Sequence, residues 1–305
     1  MAPFSTAAER VHFLVPGGAG GGWDTTARAV GETLAREGII DGASYENLSG
    51  GGGSRAMARL IETADRQTNT LMVSSTPIIL RSLRKVYPQS YRDLVPVASV
   101  IVDYGAFVVR ADSPYRQWQD VIDHFERQPR RVNIAGGSSR GSMDHLVAVL
   151  AFKKSGADAK SVKYIPYNAG AHAMVGLLSG ECQLLTTGLS EAIALAEQGE
   201  VRILAMTADA RLDALPDVPT LVEQGVPAVF RNWRGFFAAP GTSQKKRLEF
   251  ASTLGALRES EGWSAVRDRR GWTDFFVAED AFDTFLMAQE KEMAELLREL
   301  GVLSP

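Results

Sequence analysis

The stretch VHFLVPGGAGGGWD, Val11–Asp24, decides the fold. Val11–Val15 is a short apolar run of the kind a buried strand needs, and Trp23, Ala27, Val30 and Leu34 then recur at helical spacing. Between the two, five of the seven residues from Gly17 to Trp23 are glycine. So bare a backbone at the head of a helix has a physical use. The first N–H groups of a helix are unpaired and carry about half a positive charge, and without a Cβ in the way an anion can come close. The competing reading is a mobile turn that only needs positive φ. A second stretch, VNIAGGSSRGSMD, Val132–Asp144, repeats the plan of strand, small-residue loop and helix with an acid at its start. Two such loops favour a clamp that grips one ligand from both sides.

Working outward, the chain alternates strands and helices. Ser44–Leu48 reads as a strand and meets a second glycine run, Gly50–Gly53; a helix follows with Met57, Leu60, Ile61 and Ala64 on one face, then a strand at Thr70–Ser74. This βαβα order argues for a mainly parallel sheet flanked by helices. Leu94–Val102 and Gly105–Arg110 read as two strands a few residues apart. A fresh series then runs through WQDVIDHF (helix), VNIA (strand), Ser142–Lys154 (helix), VKYIPY (strand), Ala171–Leu178 (helix), CQLLTT (strand), Ser190–Gln198 (helix) and RILAM (strand). After NWRGFFAAP the pattern is helical almost to the end and brings no new sheet. The expected fold is α/β with two lobes, residues 1–105 plus 236–305 and residues 106–235. Crossover strands near Tyr104–Arg110 and Asn232–Ala238 form a hinge, with a ligand cleft between the lobes.

Composition narrows the function. The 305 residues can bury a substantial core, and the 23% of charged residues is ordinary for a soluble globular chain. A net charge of −3 gives no electrostatic case for nucleic acid. The single cysteine, Cys182, excludes an internal disulfide, and His12, His124, His145 and His172 form no metal-ligand pair, so no cofactor or metal is expected. No segment is long and apolar enough to insert in a membrane. The start, MAPFSTAAER, lacks the basic and apolar regions of a secretory leader. Two readings stay open there: a cytosolic protein, or an exported one whose leader has been replaced by a start methionine.

Sharper motifs fail on detail. The first loop misses the dinucleotide fingerprint because Trp23 stands where a third glycine is needed, and no Lys-Ser/Thr follows to make a phosphate loop. Gly51-x-Gly53-x-x-Ala56 fits the relaxed dinucleotide form, but the next strand ends in Ser74-Ser75 with no acid for a ribose. Gly137-Ser138-Ser139-Arg140-Gly141 satisfies the G-x-S-x-G of a hydrolase nucleophile elbow, with Ser139 as nucleophile. That enzyme reading needs an acid and then a histidine downstream, and only His145 and His172 follow. The hydroxyls of Ser138, Ser139 and Ser142 serve equally as donors to a carboxylate. Asp24 and Asp144 read first as acids that stabilise a helix dipole, and second as acceptors for a ligand hydroxyl. Arg140 and Arg234 are the cations placed at the cleft, where either can hold a carboxylate bidentately. Tyr167-Asn168 follows a strand end, where α/β folds collect ligands. The Trp118, Val121, Ile122 and Phe125 stripe is core.

At these residues the chain resembles a known family. PGGAGGGWDTTARAV, SGGGGSRA, ADSPYRQWQDVI, GGSSRGSMDHL, YNAGAHAMVGLLSGECQLLTTGLSE and RGFFAAPG, in that order, are similar to the substrate-binding proteins of tripartite tricarboxylate transporters, most of all to the citrate-binding branch. The resemblance implies a periplasmic, two-lobed, hinge-closing protein, not an enzyme, that delivers a small di- or tricarboxylate to membrane permease subunits. A monomer is expected, and an extracytoplasmic carboxylate sensor is the alternative. The resemblance places the ligand on Gly20, Gly21, Gly22, Trp23 and Asp24 of the first loop and on Gly137, Ser138, Ser139, Gly141 and Ser142 of the second. It matches Ser75 and Thr76 to a Gly/Ser-rich strand end. Arg140 and Gly188 depart from the citrate-type pattern.

Overall fold

The computed structural model describes residues 10–303. The start of the chain, on which the leader readings rest, lies outside them. The apolar run before the first glycines forms β1 (Arg10–Val15), and α1 (Gly22–Arg36), β2 (Gly42–Asn47), α2 (Ser54–Glu62) and β3 (Thr70–Ser75) complete a βαβαβ unit. β1 lies between β2 and β3, and both pairings are parallel. The chain continues through α3 (Thr76–Arg84), β4 (Val95–Arg110) and α4 (Trp118–Arg127). A second βαβαβ unit follows: β5 (Asn133–Gly136), α5 (Met143–Lys154), β6 (Lys163–Pro166), α6 (Gly170–Leu178) and β7 (Leu184–Gly188). Its middle strand is again the first, with β5 parallel to β6 and to β7. Each glycine-rich loop therefore leaves the carboxyl end of the central strand of a parallel trio, the place where α/β sheets bind ligands.

The remaining elements are α7 (Ile193–Glu197), β8 (Val201–Met206), β9 (Arg231–Ala238), α8 (Gln244–Arg258), α9 (Glu261–Arg270), β10 (Thr273–Ala278) and α10 (Glu279–Glu299). β4 joins the two trios. Val95–Tyr104 pairs antiparallel with β9, while Gly105–Arg110 pairs antiparallel with β7 and β8. The fold is thus two-lobed α/β, each lobe a parallel trio extended by antiparallel strands.

Two expectations change. Leu94–Val102 and Gly105–Arg110 belong to one continuous strand. Asp103 and Gly105 look like breakers in the sequence, but Asp103 is fully buried on an arginine and a Cβ on Gly105 would press on Val147. The C-terminal region also adds a strand, since β10 pairs with β4. Its short Phe275-Phe276-Val277 run is masked in the sequence by the long helical patterns on either side.

Burial follows the periodicities. α1 turns Ala27, Val30 and Leu34 into a core with Phe13, Phe236 and Trp263. α5 is apolar nearly all round and is correspondingly buried on most faces. Trp118 and Phe125 of the expected stripe pack with Phe107 and Phe152 at ring separations of 4.4–5.3 Å. Each such side chain contributes about 1.5–3 kcal/mol. The core continues from Phe107 through Val102 and Trp233 to Phe282, so the lobes share apolar packing around β4 and β9.

Candidate ligand cleft

Four helices start at one cavity of about 350 Å³ between the lobes: α1 with Gly21, Gly22 and Trp23, α3 with Ser75 and Pro77, α5 with Ser142, Met143 and Asp144, and α6 with Ala169 and Gly170. None of the four has a hydrogen bond from its first-turn amides to an N-cap side chain. Each presents about half a positive charge. The two loops have the same turn. Gly20 (φ 75°) and Gly141 (φ 74°) each adopt the left-handed conformation two residues before the first residue of the helix.

Of the residues singled out in the sequence, Gly21, Gly22, Trp23, Ser75, Gly137, Ser138, Ser139, Ser142, Tyr167, Asn168 and Arg234 line this cavity. Trp23 reaches across to α3, where its Nε1 donates to Ser75 Oγ at 2.9 Å. Gly20, Asp24, Thr76, Arg140 and Gly141 do not line it. Asp24 is buried and accepts from Gly20 N, Arg28 Nε and Asn47 Nδ2, each at 2.9 Å, so its oxygens are spent on holding the loop against β2. Gly20 and Gly141 sit behind the turn they make. Thr76 is fully buried in the first turn of α3. Arg140 turns away and donates to the Tyr164 carbonyl at 2.6 Å.

Arg234 lines the cavity but is not a free cation. It is 2% exposed, pairs with Asp103 at 2.5 Å and donates to Gly22 O (2.6 Å) and Thr26 Oγ1 (2.7 Å). A Cβ on Gly22 would overlap its guanidinium. The first-loop glycine is bare partly because a protein cation, rather than a ligand, comes close.

Several lining residues were missed in the sequence. Arg81 of α3 donates to Gly51 O and to Ser139 Oγ (3.2 Å), and Arg84 donates to Gly141 O (3.1 Å), so two arginines of one lobe bridge to the second loop of the other. No signal for them was available, because α3 itself was not recognised. Glu191 stands between the α1 and α6 N-termini. It accepts from Gly22 N and from Thr187 Oγ1 (2.5 Å) and packs where a Cβ on Gly170 would lie. Burial raises its proton affinity. Asp144, singled out in the sequence together with Asp24, does line the cavity; it accepts from Ser138 Oγ and Gly137 N, and burial together with the Glu191 charge pushes its pKa up to about 7. Asn232 shares the cavity-facing side of β9 with Arg234. The two-residue spacing in NWRG was the available signal for it. An acid just after a strand-end glycine, as in TTGLSE, was the signal for Glu191.

The hydrolase reading finds no support in this geometry. Ser139 Oγ meets Arg81, and His145 Nδ1 accepts from Gly141 N at 3.0 Å. A larger hollow of about 860 Å³ lies on the far side of β4 and β9, lined by Trp233, Phe275 and Phe285 and rimmed by Glu292, Glu295 and Glu299. It has no helix N-terminus and an acidic rim, which makes it the poorer anion site.

A two-lobed α/β fold with four helix N-termini at an interlobe cavity defines the class of solute-binding proteins. The comparisons agree. Residues 26–260 match the model of the tripartite tricarboxylate transporter family receptor, and the chain belongs to that family, one of solute-binding receptors and not of enzymes. The protein BugT of Bordetella pertussis is 26% identical over 300 residues, covering 96% of this chain and 90% of its own. A protein encoded in the tcbD–tcbE intergenic region of a Pseudomonas species is 27% identical over 256 residues, covering 79% and 74%. Among solved structures, the periplasmic binding protein BugD superposes with a TM-score of 0.86 at 22% identity, covering 96% of this chain and 98% of its own. A Rhodopseudomonas palustris protein with adipate gives 0.86 at 23%, covering 98% and 99%. MatC of the same organism, with bound malate, gives 0.81 at 20%, covering 94% and 99%. No helix of the described residues is long and apolar enough to cross a membrane.

Proposed function

We propose that this protein is a periplasmic receptor that captures a small di- or tricarboxylate, citrate among the candidates, between two closing lobes and hands it to membrane permease subunits. The observation that carries this reading is the convergence of the starts of α1, α3, α5 and α6, none of them capped by its own N-cap side chain, on one interlobe cavity. A carboxylate placed there gains charge-assisted hydrogen bonds from helix amides in a site shielded from water. Arg81, rather than Arg140, is the residue proposed to meet the ligand's distal end. The solved structures with malate and with adipate bind acids of this size on the same fold.

The hinge is proposed where the chain crosses between lobes, at Tyr104–Gly105 and at Phe230–Arg231. The second crossing falls a few residues before the boundary at 235/236 drawn from the sequence. Thr207 ties both crossings together: its Oγ1 accepts from Gly105 N and donates to Phe230 O, both at 2.8 Å. The receptor is proposed to act as a monomer.

A thermal-shift series with succinate, malate, adipate and citrate tests the reading. A ligand at a hundred times its Kd adds about 2.7 kcal/mol of stability, so a true ligand raises Tm by several degrees. If none of these acids moves Tm, the ligand class is wrong.

A further inference from the structure

The heads of α1 and α6 already hold an anion. Glu191 follows β7 in a short turn, and its carboxylate accepts from Gly22 N, at the first residue of α1, and from Thr187 Oγ1 at 2.5 Å. It also fills the space that a Cβ on Gly170, the first residue of α6, would need. Two of the four converging helix starts are thus met by one protein carboxylate. Asp144 stands in the first turn of a third, α5, and lines the same cavity. The cations nearby are committed elsewhere. Asp103 takes Arg234 Nη2 at 2.5 Å, while Gly22 O and Thr26 Oγ1 take its Nη1. Arg270 of α9 acts on that Arg234–Asp103 pair, and Arg81 is held on Gly51 O and Ser139 Oγ. Tyr164, which faces Asp144 from β6, gives its hydroxyl to Ser138 O, and His145, next on α5, turns to Gly141. Asp103, Asp144 and Glu191 therefore share the one guanidinium of Arg234. A ligand carboxylate brought to this place adds a fourth negative charge.

We propose that Glu191 is the resident anion of the cleft, and that a ligand carboxylate arriving beside it draws one proton from solvent onto the Glu191–Asp144 pair. The inference rests on the carboxylate reading above and adds a co-ligand to it, the proton. A new anion in a shielded site raises the proton affinity of the carboxylates it faces. Both acids start close to the change. Burial raises the proton affinity of Glu191, and burial with the Glu191 charge puts Asp144 at about 7. Once neutral, a carboxyl repels no anion and has a hydrogen to donate to a ligand oxygen. By linkage, capture is strongest below the titration of the free pair, and affinity falls as pH rises through 7 and above.

The test is calorimetric titration of the full chain with succinate, malate and adipate between about pH 6.5 and 8.5, where these acids carry both charges. Kd rises about fivefold or more across that interval, and titrations near about pH 7.5 in buffers of different ionisation enthalpy show uptake of about half a proton or more. Asp144→Asn and Glu191→Gln imitate the protonated acids. Each flattens the profile, and the double variant holds Kd within about twofold throughout. Either single variant carries the test should the double variant fail to fold. His172→Gln, on an exposed position of α6, leaves the slope as it is. A pH-independent Kd with no proton uptake in the unaltered protein overturns the inference and leaves the carboxylate reading intact. Uptake that persists undiminished in both single variants overturns the assignment to Glu191 and Asp144, and a slope lost with His172→Gln overturns it in favour of that histidine. Silence from all three acids, together with citrate, overturns both readings.

Discussion

The loops Pro16–Gly21 and Gly137–Ser142 leave equivalent strands and make the same turn, yet different chemistry holds them. Each has a left-handed glycine whose amide is accepted by the side chain four residues later. For Gly20 the acceptor is Asp24 Oδ2 at 2.9 Å, and for Gly141 it is His145 Nδ1 at 3.0 Å. The structural partner of Asp24 is therefore His145, not Asp144. Asp144 takes the place of Trp23, the second residue of its helix, and like Trp23 it faces the cavity. The backbone demands only an acceptor at that spacing, and a carboxylate or a neutral imidazole meets it equally. The two acids therefore stand one residue out of register with each other, third in α1 and second in α5.

The anchors differ in charge as well as in kind. Arg234, tied to Asp103, holds the Gly22 carbonyl of the first loop, whereas the Tyr164 hydroxyl holds the Ser138 carbonyl of the second at 2.6 Å. Arg234→Met leaves Asp103 buried without its partner and should cost about 3–5 kcal/mol in urea unfolding. Tyr164→Phe removes one neutral hydrogen bond and should cost about 1 kcal/mol. Equal losses would mean that the two loops are anchored alike.

Size separates the loops next. Gly22 opens α1 with Arg234 and Glu191 pressed against its Cα, while its counterpart Met143 carries a full side chain. Gly22→Ala should lose about 1–3 kcal/mol through overpacking, read as a lower urea midpoint at unchanged m-value. A neutral result would show that Arg234 moves aside freely.

The smallest effect is a difference in pH slope. Burial, with Arg140 and Arg84 close by, holds the His145 pKa down at about 4, below its ordinary 6.5. The unfolded chain then binds more protons across that interval, so the His145 contribution is complete above about 6.5 and is lost as pH falls towards 4. Asp144 runs the other way. Its pKa is raised from 3.8 to about 7, so its contribution is complete below 3.8 and is lost as pH rises through 7. Melting profiles between pH 4 and 7 should steepen in opposite senses when one group is removed. His145→Asn keeps an acceptor for Gly141 and should leave stability falling with rising pH. Asp144→Asn should leave it rising. Parallel profiles for the two variants would show that neither group titrates as its surroundings imply.

Much of the architecture was legible because its causes are local. Val11–Val15 is continuous and apolar, Trp23 to Leu34 follows a helical period, and glycines mark the turn between them; each signal sits within a few residues. Local reading failed where tertiary pairing overrode it. Asp103 and Gly105 look like a gap between strands until Arg234, 131 residues away in sequence, neutralises the one and Val147 packs on the other. β10 is short and flanked by helices, and pairing with β4 rather than its own pattern makes it a strand.

The sequence by itself determined that two strand–glycine–helix units exist, that their helix starts suit an anion, and which family the chain resembles. Only the tertiary structure decided what reaches those helix starts. Asp24 went to the loop and Arg140 to the Tyr164 carbonyl, while Arg81, Glu191 and Asn232 came to the cavity from elements far apart in the chain. The reason is physical. Turns and periodicities are set by neighbours along the chain, whereas the cost of burying a charge or an unpaired amide is set by neighbours in space.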